Sequence, residues 1–136
     1  MAKIRRIYVA GLLTPKGVWS TNPAIDYLLN VRNMIRTGIE LLLAGYDPFI
    51  PALDFTMFLE LRDDERITEP MIKRFSKSWL EVCDAIYLTK GWKQSTGTLI
   101  ELELSKKLGM PSFESIEEIK EYEMHARLEG EKNGTK

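Results

Sequence analysis

The sequence predicts an α/β protein built on a parallel sheet with helices on both faces. Three observations point there. Short runs rich in β-branched and aromatic residues, at 4–10, 46–50, 84–89 and 110–113, alternate with longer amphipathic segments. The segments between the runs carry helix start and stop signals. Every strand is separated from the next by a helical stretch, as a parallel sheet of four to five strands requires.

The first run, Ile4 to Ala10, ends at Gly11 and reads as a buried strand. Gly11-Leu12-Leu13-Thr14-Pro15-Lys16-Gly17 follows as a loop. Asn22 before Pro23 is a good helix start, because Asn caps free amides and Pro at the first position sacrifices no hydrogen bond. Ile25, Leu28, Val31, Ile35, Ile39 and Leu42 recur at three- and four-residue steps and predict one apolar stripe, stopped at Gly45. Gly38 within it suggests close packing. The second strand, Tyr46 to Ile50, contains Pro48 and is expected at a sheet edge.

From Ala52 to Thr68 the pattern is weak, with a helical turn around residues 55–61 and a charged patch at Arg62-Asp63-Asp64-Glu65-Arg66. Glu69 to Val82 reads as a helix carrying Met71, Phe75, Trp79 and Val82, and Asp84 to Thr89 as the third strand. Thr98 to Leu108 reads as a helix with Ile100, Leu104 and Leu108 on one stripe and Gly109 as its stop. Met110 to Phe113 is the fourth strand, and Ser115 caps a last helix. The expected organisation is one domain over residues 1–129, then a frayed tail from Gly130.

The chain has 136 residues, 44% apolar and 29% charged, with a formal charge of −1. That charge offers no global field for a nucleic-acid backbone, so a phosphate polymer is disfavoured as partner. A single phosphate held by backbone amides needs no net charge. One cysteine, Cys83, excludes an intrachain disulfide. No apolar stretch approaches membrane-span length, and the start does not resemble a signal peptide. A cytoplasmic protein without membrane partner is expected. No metal or other cofactor is expected either, since His125 stands alone without a ligand cluster.

In parallel sheets ligands sit beyond the carboxyl ends of the strands. The loops after Ala10, Ile50 and Thr89 should therefore converge on one crevice. The third of them reads Gly91-Trp92-Lys93-Gln94-Ser95-Thr96-Gly97-Thr98-Leu99-Ile100-Glu101. Ser95 and Gly97 fall where loop becomes helix, where unpaired amides favour an anion. Glu101 is placed in about the first turn, where the helix dipole favours its ionised form. A plain helix cap and a solvated acid account for the same spacing. Trp92 can stack on a base or pack over the sheet edge. Glu103, two residues from Glu101, points to a different side of the helix.

Ile7-Tyr8-Val9-Ala10-Gly11, Asp84-Ala85-Ile86 and Ser95-x-Gly97-Thr98-x-x-Glu101 together resemble nucleoside 2-deoxyribosyltransferases and their relatives, most closely a bacterial and phage branch. The resemblance covers Ile7 to about Ile119. It implies a flavodoxin-like three-layer sandwich, a homodimer or higher homo-oligomer, and a small-molecule nucleoside or nucleotide as partner. It implies cleavage or transfer at the N-glycosidic bond, as in the nucleoside monophosphate N-glycosidases, with Glu101 as nucleophile and Tyr8 orienting it. Ser95 matches a serine that binds the 5′-phosphate in the monophosphate-hydrolysing branch, and Gly11, Gly97 and Thr98 would line phosphate and sugar. The sequence departs from the pattern at Ser76, where many relatives carry an aspartate near the sugar or base. Asp54, on the loop after the second strand, can stand in for it or can be a loop cap. The departure keeps open a nucleotide-binding module of the same fold with little catalytic power.

Overall fold

The computed structural model describes residues 3–13 and 22–134. Four strands, β1 (Arg6–Ala10), β2 (Asp47–Phe49), β3 (Ala85–Leu88) and β4 (Ser112–Phe113), form one sheet in the order β2-β1-β3-β4. Every neighbouring pair is parallel. The helices are α1 (Pro23–Leu43), α2 (Glu69–Leu80), α3 (Thr96–Lys107) and α4 (Ile116–Gly134). A 3₁₀ segment, Pro51–Glu60, follows β2, and a short 3₁₀ turn, Trp92–Gln94, precedes α3. The α/β class with a four-strand parallel sheet is as expected. Residues 14–17 of the expected first loop lie outside the described residues.

Strand side chains alternate between two cores, as the period of two demands. Ile7, Val9 and Ala85 face α1 and α4, meeting Met34, Leu41 and Ile119. Tyr8, Ala10, Ile86 and Leu88 face α2 and α3, meeting Leu80 and Leu102. At the amino ends of the strands Asp84 clamps β1 to β3: its Oδ2 accepts from the backbone amides of Arg5 and Arg6, both at 2.9 Å.

Local signals account for the helix ends. The Asn22 side chain accepts from the amides of Ala24 and Ile25, and Pro23 opens α1. Gly45 and Gly109 follow the ends of α1 and α3 at φ 98° and 72°, a region that penalises a Cβ. Gly130 does not take such a φ, so α4 runs through it to Gly134, where a frayed tail was expected.

The buried faces of two helices differ from expectation. On α1 four of the six expected stripe residues, Ile25, Leu28, Ile39 and Leu42, are exposed, while Val31 packs against the core and Met34, Gly38 and Leu41 are buried. The cause is steric. A Cβ at Gly38 would lie 2.3 Å from Ile50 Cδ1, so the helix approaches the sheet on its one small-residue face. On α3, Ile100 and Leu108 are exposed, and Thr98, Leu102 and Ser105 are buried instead. No helix among the described residues is long and apolar enough to cross a membrane.

Gly11 closes β1 against β3. A Cβ there would lie 1.7 Å from Thr89 Oγ1 and 3.1 Å from Thr89 Cβ. Gly11→Ala should therefore lower stability by about 1–3 kcal/mol through overpacking. Thr89→Ala in the same chain should restore part of that loss, read as urea midpoints of the single and double variants.

Candidate active site

The sheet order places β1 at a reversal point. The chain leaves β1 for α1 on one face and leaves β3 for α3 on the other. A crevice must open between the carboxyl ends of these two neighbouring strands. A cavity of about 280 Å³ lies there, lined by Gly11, Leu12, Leu13, Ser95, Thr96, Gly97, Thr98 and Glu101. It is near the lower end of the usual ligand-pocket range, roughly 300–1,000 Å³. A second cavity of about 240 Å³ shares Leu12 and is lined by Asn30, Asn33, Thr37, Thr89 and Lys90. A further cavity, about 490 Å³, runs from Lys3 along α4 and borders none of the candidate residues.

Glu101 carries the polar centre. Its Oε2 accepts a hydrogen bond from the hydroxyl of Tyr8, which is fully buried on the central strand. Burial pushes the Glu101 carboxyl up from its ordinary value, and the Tyr8 hydrogen bond pulls it back. Tyr8 is driven far above the phenol range by burial first and by the Glu101 charge next. It therefore remains a proton donor to the carboxylate. With Ser95 as N-cap, Glu101 is the sixth residue of α3, beyond the first turn to which the dipole effect is confined. The expected support from the helix dipole is thus absent, and the tyrosine supplies it.

Ser95 caps α3. Its Oγ accepts from the Thr98 amide at 3.2 Å and from Thr98 Oγ1 at 3.0 Å. Thr98 is buried beneath the cavity wall, and Gly97 leaves open space where a side chain would stand. The start of α3 thus presents small residues and backbone amides toward the cavity. Gly11 also lines it, and its want of a side chain is imposed by Thr89.

Trp92 is not brought to the cavity. Its indole N–H donates to Glu114 Oε1 at 2.8 Å and its ring packs against the α2–α3 core, so it covers the sheet beside β4. Glu103 is exposed on the far side of α3. Asp54 and Ser76 do not line the cavity either. The Ser76 hydroxyl nearby pulls the Tyr8 phenol back down, and the Asp54 charge, the least of the influences, pushes it up. Asp54 Oδ2 is buried with no hydrogen-bond partner among the described residues. Burial pushes the Asp54 carboxyl up to about 6.

Ser76 escaped sequence reasoning as a site residue because it was read only as the loss of a carboxylate. The leucines at 12 and 13 carried no chemical signal. An aromatic run, Tyr8–Phe49–Trp79–Phe75, backs the site. Ring centroids are 5.7, 5.3 and 6.4 Å apart along it. No cluster of three or more metal-ligating side chains occurs among the described residues. Cys83 is half-buried beside Asp84, and burial pushes its thiol up to about 11, which suits packing better than reactivity.

The raised Glu101 value has a sign for stability. A folded value above the unfolded one stabilises the fold fully below the ordinary 4.5, and that stabilisation is lost as pH rises through the folded value. At neutral pH the ionised carboxylate is therefore a cost. Glu101→Gln should melt a few °C above wild type at pH 7, and the difference should shrink toward zero below the ordinary carboxyl range. Paired thermal melts across pH check it.

Comparison with known proteins adds the following. The family described as Domain of unknown function (DUF4406) matches residues 5–113. A 2-deoxyribosyltransferase from the psychrotolerant bacterium Bacillus psychrosaccharolyticus superposes with a TM-score of 0.51 at 18% identity, covering 79% of this chain and 69% of that one. A conserved protein from Enterococcus faecalis V583 superposes with a TM-score of 0.50 at 18% identity, covering 80% and 61%. The chain thus spans less than two thirds of that second protein. At this identity the likeness establishes a shared fold, the flavodoxin-like sandwich of deoxyribosyltransferases. No curated protein matches the chain.

Proposed function

The chain belongs to the DUF4406 family, and from that premise we propose that it cleaves or transfers the N-glycosidic bond of a nucleoside or nucleoside 5′-monophosphate. One observation carries the reading: a half-buried carboxylate, Glu101, is held by the Tyr8 hydroxyl at the wall of the cavity between β1 and β3. A carboxylate with a single fixed donor and an open side toward a cavity is suited to attack an anomeric carbon. In the first displacement a Glu101 oxygen bonds to C1′, and the C1′–N electron pair leaves with the base. In the second, water or another base attacks C1′ and returns the pair to Glu101, so configuration is retained. Tyr8 positions the carboxylate and keeps its own proton.

The amides at the start of α3, with Ser95 and Gly97, supply an anion cradle for a 5′-phosphate. The exposed apolar side chains of α1, among them Leu28, Leu42 and Leu43, suit a contact between copies of this chain. One cysteine held as a thiol fits a reducing cytoplasmic compartment. Ser76 favours a second reading, a nucleotide-binding module, because it brings no carboxylate to the Tyr8 oxygen.

Release of free base from a panel of nucleosides and 5′-monophosphates, followed by chromatography, tests the first reading. Glu101→Gln and Glu101→Ala should reduce turnover on the order of 10³-fold or more. Wild-type turnover in either variant would overturn the assignment. Thermal stabilisation by nucleotides without any free base would favour the binding module. For the phosphate, Ser95→Ala should raise KM for monophosphates about tenfold and leave that of nucleosides nearly unchanged. Equal effects on both would remove Ser95 from phosphate binding.

A further inference from the structure

We propose that the second cavity, across Leu12 from the one holding Glu101, seats the distal phosphate of a nucleoside 5′-di- or triphosphate; the proposal rests on the nucleotide reading above and extends its ligand class. The lining gives the placement. Leu12 belongs to the walls of both cavities. Gly11, in the first wall, meets Thr89, in the second, so closely that a Cβ on Gly11 would lie 1.7 Å from Thr89 Oγ1. The two spaces are therefore neighbours at the carboxyl ends of β1 and β3. Each is smaller than about 300 Å³, the lower end of the usual range for a ligand, and the pair together falls within that range.

Helix α1 supplies one side of the second cavity. Asn30, Asn33 and Thr37 follow one another at three- and four-residue steps, which puts them on one face of the helix. Two of these side chains are engaged. Asn30 Nδ2 donates to the Leu13 carbonyl at 2.9 Å and so ties the segment after β1 to the helix. The Thr37 hydroxyl donates to the Asn33 carbonyl at 3.1 Å. The side-chain amide of Asn33 has no partner among the described residues. Lys90, directly after Thr89, supplies the other side. It is exposed and forms no ion pair among the described residues.

The chemistry of this lining selects the group that fits. An ammonium offers three N–H donors and an amide two. Among the described residues of the wall there is no carboxylate to neutralise them and no aromatic ring to stack on a base. A compact anion with several acceptor oxygens answers such a set, so the fit is to a phosphate and not to the base. On the reading above, the sugar lies at Glu101 and the 5′-phosphate at the start of α3. The group left to cross Leu12 is then the next phosphate of the chain. A monophosphate would leave Lys90 and Asn33 unused.

The test is the ratio of dissociation constants for a nucleoside 5′-monophosphate over the matching diphosphate, by titration calorimetry without added magnesium. The full chain carrying Glu101→Gln serves as parent, so that the ligand is not consumed. The diphosphate should bind about tenfold or more tightly, as one charge-assisted contact provides. Lys90→Ala and Asn33→Ala should each bring the ratio toward one, and Lys90→Glu should take it below one. Both side chains are exposed, so these variants leave the core intact. Lys93→Ala removes a like charge from the same loop, where it lies over the Trp92 ring, and should leave the ratio within about twofold.

A ratio near one in the parent, or one that Lys93→Ala lowers as much as Lys90→Ala does, would overturn the subsite. So would stabilisation by inorganic phosphate through Lys90 beside a ratio near one, which marks a site for a separate anion. Base release by wild type is read apart from binding. Release together with a ratio near one removes the subsite and keeps the glycosidic reading. A raised ratio without release keeps the subsite, on a nucleotide-binding module. Absence of binding by every nucleotide overturns both.

Discussion

The hydrogen bond from Tyr8 to Glu101 constrains the rest of the molecule. A carboxylate away from bulk water requires a donor, and an unpaired one would be driven to protonate. The donor is on the central strand and fully buried, so it is positioned by the sheet itself. A slip of one residue in β1 would turn Tyr8 toward α1 and leave Glu101 without its partner. The register Tyr8 with Ile86 and Phe49, fixed by parallel pairing on both sides, is thus also the register of the site. Asp84, by holding the amides of Arg5 and Arg6, ties that register down at the far end of the same strands.

The crevice depends on the chain leaving β1 and β3 in opposite directions, and on how closely the two exits meet. Gly11 and Thr89 meet where no Cβ fits on the first. Gly11 lines the cavity beside the start of α3, and Thr89 lines the neighbouring cavity. Ser95 and Thr98 then hold the first turn of α3 by a shared hydroxyl pair. These interactions are short-range, and the cavity lies among them in the least regular part of the chain. The aromatic run behind Tyr8 gives the phenol ring a packed backing from β2 and α2.

Much of this was legible in the sequence. Strand positions, the alternation with helices, the caps at Asn22 and Ser95 and the stops at Gly45 and Gly109 are local signals, and local physics decides them. The convergence of the loops after β1 and β3 followed from topology, but the loop after Ile50, expected with them, does not line the cavity. The faces of the helices did not follow. On α1 the largest apolar residues make the better stripe, yet close approach at Gly38 selects another face. On α3 the inward positions are Thr98, Glu101, Leu102 and Ser105, because that face must bring a carboxylate to Tyr8 and a cap to the cavity. A hydrophobic pattern is misleading wherever a helix turns its chemistry inward. Trp92 looked available to a ligand, but a partner 22 residues later, Glu114, holds its indole elsewhere. Nothing in the sequence spacing relates Asp54 to Tyr8. That the Asp54 charge is felt at Tyr8 depends on the pairing of β2 with β1 and on the 3₁₀ segment that follows.

Burial raises the carboxyls of both Glu101 and Asp54, to different depths and with different partners. Around Glu101 it is answered by a phenol that cannot itself ionise in the usual range, so the carboxylate is held in place at a cost in stability. Around Asp54 it is unanswered, and the group is shifted toward the pH at which cells work. A helix dipole would have been a poorer device here. It acts within one turn and is screened by solvent, whereas a hydroxyl on the central strand is fixed by the fold's most ordered part. That arrangement also explains why the inward face of α3 forgoes apolar burial. The helix is held to the sheet by Leu102 and by a polar contact whose value lies in placing a charge, and the exposed leucines and isoleucines of α1 and α3 are left for surfaces outside the core.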